Sequence, residues 1–554
     1  MKGVFQRWLS AAALAVMVLL GIGLGGASEN ILDVYSLVDI PNIDPGTTLD
    51  GIGSETVRNL YDPLLREVGE EQPIPWLAES YEVSPDARVW TFHLRPGVTF
   101  HDGSPVNAEA VRFTFNRFLT MNQGGVAFIF GPVMDLNSVQ VIDDLTVQIT
   151  LTRPFGPFLK AIPLVFIVNP QVVLAHEVNG DLGAAWLAQN EAGSGPFVIK
   201  DWQPGQLYEF TRYDNYWQGW EGPHLQGVRW RVTREASTRL AAIRSGQADR
   251  IDWMTADDWL ALQGDTYGDP QNFGPQNNLY HIKLNNQQVL ADGVTPGPLQ
   301  DKLVRQAMSY AFDYEALVQA AAQGFGRQPQ GPIARTMPFH DDNLLIYARD
   351  LERARSLLAQ AGWSDSNGNG IVDKDLNGDG QPEPLEIDFV FVSGLDLYEQ
   401  VGLIFQASLA EVGIHVNVIG SPWANIVGQQ AAGPAEAWDS YYVTTAPEFN
   451  DPHAALFPEY HSSNAGSWVY GDFYNNPQVD QLLEEGVASA DEARRGEIYQ
   501  QVQRMLVDDA AEIFALEVDN FAQDIFARDV CGEKFVPGPN AWFWYGIYFC
   551  SLAS

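Results

Sequence analysis

The sequence predicts an α/β protein built from more than one lobe. Residues 385–391 read as a strand, 399–412 as a helix and 413–419 as a strand, an order that makes a parallel βαβ unit. Residues 81–119 read as a hairpin running into a helix. Within them Trp90, Phe92 and Leu94 alternate with Val89, Thr91, His93 and Arg95, the period-two pattern of a half-buried strand. The third observation is length: 554 residues exceed one compact core and divide into two or three lobes. A hydrophobic share of 46% and a charged share of 18% are those of a globular chain. The balance of 70 acidic against 32 basic residues gives a net charge of −38. That excludes a nucleic-acid footprint and suits a surface facing an extracellular or ionic medium.

Taken in order, Lys2 and Arg7 precede an apolar run over residues 8–24 that ends Gly25-Gly26-Ala27. This is the charged, apolar and small-residue order of a signal peptide cut after Ala27, with a retained membrane anchor as the alternative. Residues 31–65 begin as a strand and pass through Asp44-Pro45 into a helix whose apolar positions are Val57, Leu60 and Leu64. In the opening hairpin, Ser84-Pro85-Asp86, Arg95-Pro96-Gly97 and His101-Asp102-Gly103 supply the turns. Asn107 is the N-cap of the helix that follows, with Glu109 in its first turn and Val111, Phe115, Phe118 and Leu119 as its stripe. Residues 139–152 form another hairpin. Gly193-Ser194-Gly195-Pro196-Phe197 opens a third, with Trp202-Gln203-Pro204-Gly205 at its turn. No Lys-Ser/Thr follows these glycines, so they serve turns and not a phosphate loop. Strands are expected at 228–232 and 279–285, and helices at 237–245, 303–312, 350–363, 480–485 and 492–509.

Several of these stretches carry a resemblance. Trp76-Leu77-Ala78-Glu79-Ser80-Tyr81, Phe100-His101-Asp102-Gly103 and Asn107-Ala108-Glu109-Ala110-Val111 follow one another as in the dipeptide/oligopeptide-type (family 5) extracellular solute-binding proteins of ABC importers. Tyr61-Asp62-Pro63-Leu64, the exit Gly246-Gln247-Ala248-Asp249 and Asp301-Lys302-Leu303-Val304-Arg305-Gln306-Ala307 also resemble that family, and the likeness covers nearly all of the chain after the leader. It implies a two-lobed, class II periplasmic-binding-protein-like fold with an additional subdomain in the first lobe. The expected division is 1–27 leader; 28–66, 193–280 and 511–554 first lobe; 67–192 subdomain; 281–510 second lobe, with hinge crossings near Tyr280 and Ala510. The resemblance further implies a monomer that is not an enzyme and needs no cofactor. Such a protein captures a small solute, an oligopeptide or an oligosaccharide, for the transmembrane subunits of an ABC permease. Export without a lipoprotein cysteine is expected, because Ala27-Ser28 stands where many relatives carry that cysteine.

The resemblance also nominates cargo residues. In peptide-binding relatives an acid four residues before the proline matched here by Pro452 grips the peptide's α-ammonium; Glu448 holds that place, and Thr445 replaces the usual Trp three residues earlier. Asp451 ends the same loop. Dipeptide-specific relatives place an arginine after the strand equivalent to 387–392 to hold the ligand carboxylate. Here that loop is Ser393-Gly394-Leu395-Asp396, which shifts the expectation toward longer peptides or neutral oligosaccharides. Trp423 matches an aromatic position and reads either as a stacking platform or as a packed wall.

Independently of the family, Asp365, Asn367, Asn369, Ile371 and Asp373 stand at alternate positions with Gly370 sixth, as a calcium loop begins. A second phase runs through Asp373, Asp375, Asn377 and Asp379. The bidentate acid at the twelfth position is missing from both, Glu383 is a substitute, and a polar hairpin rich in Asx turns is the alternative. Cys531 and Cys550, the only cysteines, are either bonded, worth about 3 kcal/mol, or two separate thiols; export favours the bond. There is no Gly-x-Ser-x-Gly elbow, His-Glu-x-x-His helix or paired-cysteine metal spacing. A glycosidase-type carboxylate pair has no sequence spacing, so a secreted hydrolase stands as the alternative from another class.

Overall fold

The structure is a computed structural model that describes residues 30–48, 51–68, 72–268, 270, 275–465, 467–519, 524–532, 535–536 and 541–552. The expected leader, 1–27, lies outside them. Three sheets organise the chain, each with its own apolar core. The first has six strands in the order Asp524–Phe526, Arg250–Asp252, Ile31–Ser36, Gly227–Val232, Leu207–Arg212 and Phe197–Gln203. Its central strand, Ile31–Ser36, runs parallel to both neighbours. Leu32 and Val34 are fully buried on one face while the residues between them are half-exposed, as period-two packing requires.

The second sheet orders Gly326–Arg327, Glu512–Asp519, Pro275–Leu284, Ser440–Thr445, Glu386–Val392 and His415–Ser421. The predicted βαβ unit is present. Glu386–Val392 pairs in parallel with His415–Ser421, and the helix Asp396–Ala410 connects them. Val401, Phe405 and Leu409 of that helix are buried in the second core. The crossings expected near Tyr280 and Ala510 are displaced: Pro275–Leu284 and Glu512–Asp519 are neighbouring antiparallel strands of this sheet, so the chain passes between the two large sheets before Pro275 and after Asp519.

The opening hairpin becomes part of a four-stranded sheet, Ala78–Val83, Val89–Leu94, Thr146–Thr150 and Val139–Asp143. The helix Ala108–Met121 follows, with the Asn107 side chain accepting from the Ala110 N–H at its start. Val111, Phe115 and Phe118 are buried in the third core. One expectation needs correcting: the helix before this unit is Gly51–Leu60, so Leu64 lies beyond it and packs into the third core. Pro63 lacks the N–H that another turn of helix would need. Near the C-terminus Cys531 and Cys550 are bonded, with Cα atoms 5.2 Å apart, and the bridge joins the paired strands Val530–Cys531 and Tyr548–Phe549. Among the described residues, no helix is long and apolar enough to cross a membrane.

Candidate functional site

A cavity of about 450 Å³ opens beyond the carboxyl ends of the parallel strands of the first sheet, where open α/β sheets bind ligands. Val38 follows Ile31–Ser36, and Asp252 and Trp253 stand at the end of Arg250–Asp252. The helix Gly51–Leu60 supplies Ile52 and Glu55 from its first half and Arg58 from its last turn, and the helix Gly124–Phe130 of the four-stranded unit adds Val126 and Ile129. The second sheet contributes Asn278 and the turn Ala446-Pro447-Glu448, which leaves the strand Ser440–Thr445. All three units therefore meet here.

Two acids in the wall are already neutralised. Arg250 donates to both oxygens of Glu55, at 2.6 and 3.1 Å, and to Asp524 at 2.8 Å. The indole N–H groups of Trp544 and Trp542 donate to Glu55 and Asp524, which leaves both carboxylates fully engaged. Glu448 is different. It makes no hydrogen bond or ion pair among the described residues, and its exposed surface faces the cavity, while the protein enclosing it pushes its pKa above the ordinary carboxylate value. The next residue, Phe449, is buried in the third core and so pins Glu448 at the junction of the units. Asp252 accepts from the Leu37 N–H at 2.8 Å, but its other oxygen has no partner, and burial pushes the carboxyl up to about 7.

Trp253 was not anticipated. It lines the cavity with half its surface exposed, at φ 51°. A bulky residue in the left-handed region is strained, and such positions gather at ligand sites. Nothing in the alternation of the sequence separates this tryptophan from one in the core. Trp423, nominated instead, is outside the cavity lining; it packs edge-to-face on Trp468 with ring centres 4.9 Å apart.

The other nominated residues also turn to structural tasks. Asp451 is buried and caps the helix Pro452–Tyr460, and it is held by Arg495 at 2.7 and 2.8 Å. Its carboxylate is spent on the scaffold and does not line the cavity. Thr445 bonds the buried His281 at 2.7 Å through its hydroxyl. His281 in turn meets Glu512 at 2.6 Å in a buried cluster with Lys283 and Glu459. The Lys283 ammonium supplies the positive charge among these acids, 2.6 Å from Glu459 and 2.8 Å from Glu512. Ser393 is exposed and outside the cavity lining, its N–H bonded to the Ser421 carbonyl at 3.0 Å.

The Asp/Asn-rich stretch forms two loops with the same internal bonding, offset by the spacing of Asp365 and Asp375. Asp365 accepts from the N–H groups of Gly368 and Gly370, and Asp375 accepts from those of Gly378 and Gly380. Asp373 receives the Asn367 amide at 3.1 Å, as Glu383 receives that of Asn377 at 2.8 Å. Asn369 and Asp379 accept from Ile371 and Gln381 respectively. Glu383 thus stands in the second loop where Asp373 stands in the first, so the second loop begins at Asp375 and not at the expected Asp373. The donor set is carboxylate and amide oxygen throughout, which suits a hard cation such as calcium.

The model of the bacterial extracellular solute-binding proteins, family 5, matches residues 72–467. Over 516 residues, 92% of each chain, the protein is 28% identical to the probable D,D-dipeptide-binding periplasmic protein DdpA of Escherichia coli. It is also 28% identical over 463 residues, 81% of this chain and 82% of the other, to the nickel-binding periplasmic protein of the same organism. In fold it is similar to NikA from Brucella suis, solved in complex with Fe(III)-EDTA. The TM-score is 0.79 at 24% identity, over 94% of this chain and 99% of that one. Relatives of one architecture thus carry different cargo. The chain belongs to the bacterial extracellular solute-binding proteins, family 5.

Proposed function

We propose that this protein is the extracytoplasmic binding component of an ABC importer and that its cargo is a short peptide. One observation carries the reading: Glu448, with no hydrogen-bond or ion-pair partner among the described residues and raised in pKa by its enclosure, presents its carboxylate to a cavity shared by both large sheets. A peptide α-ammonium supplies the missing counter-charge, and a charge-assisted hydrogen bond offsets the desolvation of both groups. The peptide-binding relative DdpA supports the same class of cargo. For nickel, the imidazole or thiolate ligands that the metal favours are not among the described residues lining this cavity.

The proposed mechanism is hinge closure between a first lobe built on the first sheet, with the subdomain 67–192, and a second lobe built on the second sheet, which takes in Pro275–Leu284 and Glu512–Asp519. Cargo touching Glu448 on one side and the first-sheet wall on the other binds the closed form better than the open one, and so shifts the population toward it. The closed form is then what the permease recognises. Residues 1–27 direct export in this reading, and the tandem Asp/Asn loops hold calcium as a structural ion. The test begins with mass spectrometry of peptide released from the purified protein, followed by calorimetry of that peptide on Glu448→Ala. Loss of a few kcal/mol of affinity is expected, as for one partner removed from an enclosed charge pair. Unchanged affinity overturns the assignment.

A further inference from the structure

Among the described residues most buried arginines are met by carboxylates or by several carbonyls; Arg58 and Arg66 are not, and of these two it is Arg58 that lines the cavity. Arg117 meets both oxygens of Asp44 at 2.7 Å, Arg250 meets Glu55 and Asp524, and Arg495 meets Asp451. Arg239 and Arg305 each direct their N–H groups at four backbone carbonyls. Arg66 donates to the Arg58 carbonyl at 2.7 Å; its Nε and Nη1 have no hydrogen-bond partner, but its guanidinium lies against two aromatic rings, 4.6 and 3.6 Å from the centres of Trp76 and Phe543, away from the cavity lining. Arg58 has little of this. It is only 4% exposed and lines the cavity, its Nε has no partner, and its one hydrogen bond is a long one from Nη1 to the Glu67 carbonyl, at 3.4 Å.

Resting on the peptide reading above, we propose that Arg58 is the receptor for the cargo's carboxylate, so that the cavity recognises a free-acid peptide at both ends. A buried guanidinium without an anion is costly, and a carboxylate entering the cavity meets a planar, positively charged donor fork. Glu55 and Glu67 attract Arg58 through space, but neither reaches ion-pair distance of it among the described residues, and the Glu55 carboxylate is engaged by Arg250 and Trp544. Burial, and then the neighbouring charge of Arg66, push the Arg58 pKa down to about 9, the mark of a cation short of counter-charge. The site lies on the helix Gly51–Leu60 of the first lobe and not on the loop Ser393-Gly394-Leu395-Asp396, which offers no arginine. With Glu448 carried by the second sheet and Arg58 by the first lobe, a zwitterion reaches across the closing cleft. A neutral sugar satisfies neither group.

The test uses the whole protein stripped of cargo and two peptide libraries of two to five residues, one with free C-termini and one C-terminally amidated. Peptides retained through gel filtration are counted by mass spectrometry for wild type, Arg58→Gln and Arg58→Lys. The proposal expects wild type to retain free acids over amides by roughly tenfold or more. Arg58→Gln should lose that preference while keeping its residual retention of amides, and Arg58→Lys should regain part of it. Equal retention of acids and amides by wild type overturns the carboxylate receptor and leaves the peptide reading standing. Retention of neither library by wild type overturns both. The acid-to-amide ratio of wild type decides the matter even if Arg58→Gln fails to fold.

Discussion

Arg495 reaches both carboxylate oxygens of Asp451 from a single guanidinium nitrogen, at 2.7 and 2.8 Å, with both side chains buried. The pair ties the long helix Glu492–Asp508 to the first turn of Pro452–Tyr460, immediately after the turn that carries Glu448. Asp451 also caps that helix by accepting from the His453 N–H. Asp451→Asn should therefore destabilise the protein by roughly 3–5 kcal/mol, because it leaves a buried guanidinium without its anion. Urea denaturation measures this, and a loss under about 1 kcal/mol would show the pair to be dispensable.

Stability should fall as pH rises from about 4 to about 7. Burial raises the carboxyls of Asp249 and Asp252 to about 7 each. Below about pH 4 folded and unfolded chains both hold these protons; above it only the unfolded chain releases them, until the folded groups titrate in turn. Each group costs the fold up to ~1.4 kcal/mol per pH unit across that window. Glu512, held down to about 2 by His281 and then Lys283 against its burial, acts in the opposite sense: its share is present above about pH 4 and lost as pH falls toward 2. Unfolding free energies from pH 3 to 8 check this, and Asp252→Asn should flatten the descending limb.

Reducing the Cys531–Cys550 bridge should lower stability by about 3 kcal/mol, since the bond closes a loop with a sequence separation of 19 near the C-terminal end of the first core. Thermal melts of Cys531→Ser/Cys550→Ser against wild type provide the measure. An unshifted melting temperature would mean that the paired strands Val530–Cys531 and Tyr548–Phe549 hold without it.

Calcium should raise the melting temperature, and a chelator should return it to the metal-free value. The effect should disappear in Asp365→Asn/Asp375→Asn, which removes the charge from the first ligand of each loop. A melting temperature indifferent to calcium would leave the loops as Asx turns closed by their own backbone N–H groups.

Much of the architecture was legible because its signals are local. Period-two alternation in 89–94 fixed the face of Val89–Leu94 that is buried, Asn107 capped its helix, and the strand–helix–strand order of 385–419 required the parallel pair. Glu448 was found through family resemblance, and no periodicity marks it. The rest of the site joins distant segments: Arg250 meets Glu55 across 195 residues and Asp524 across 274. No local pattern records such a meeting, nor that Asp451 would be consumed by Arg495, that Trp253 would enter the cavity in place of Trp423, or that Arg58 would be short of a partner. The sequence by itself determined the class, many of the strands and helices and the acidic, globular character, since these follow from composition and from spacing along the chain. Only the tertiary structure decided which charges are neutralised and which face the cargo, because neutralisation depends on distances between residues that the chain brings together after folding.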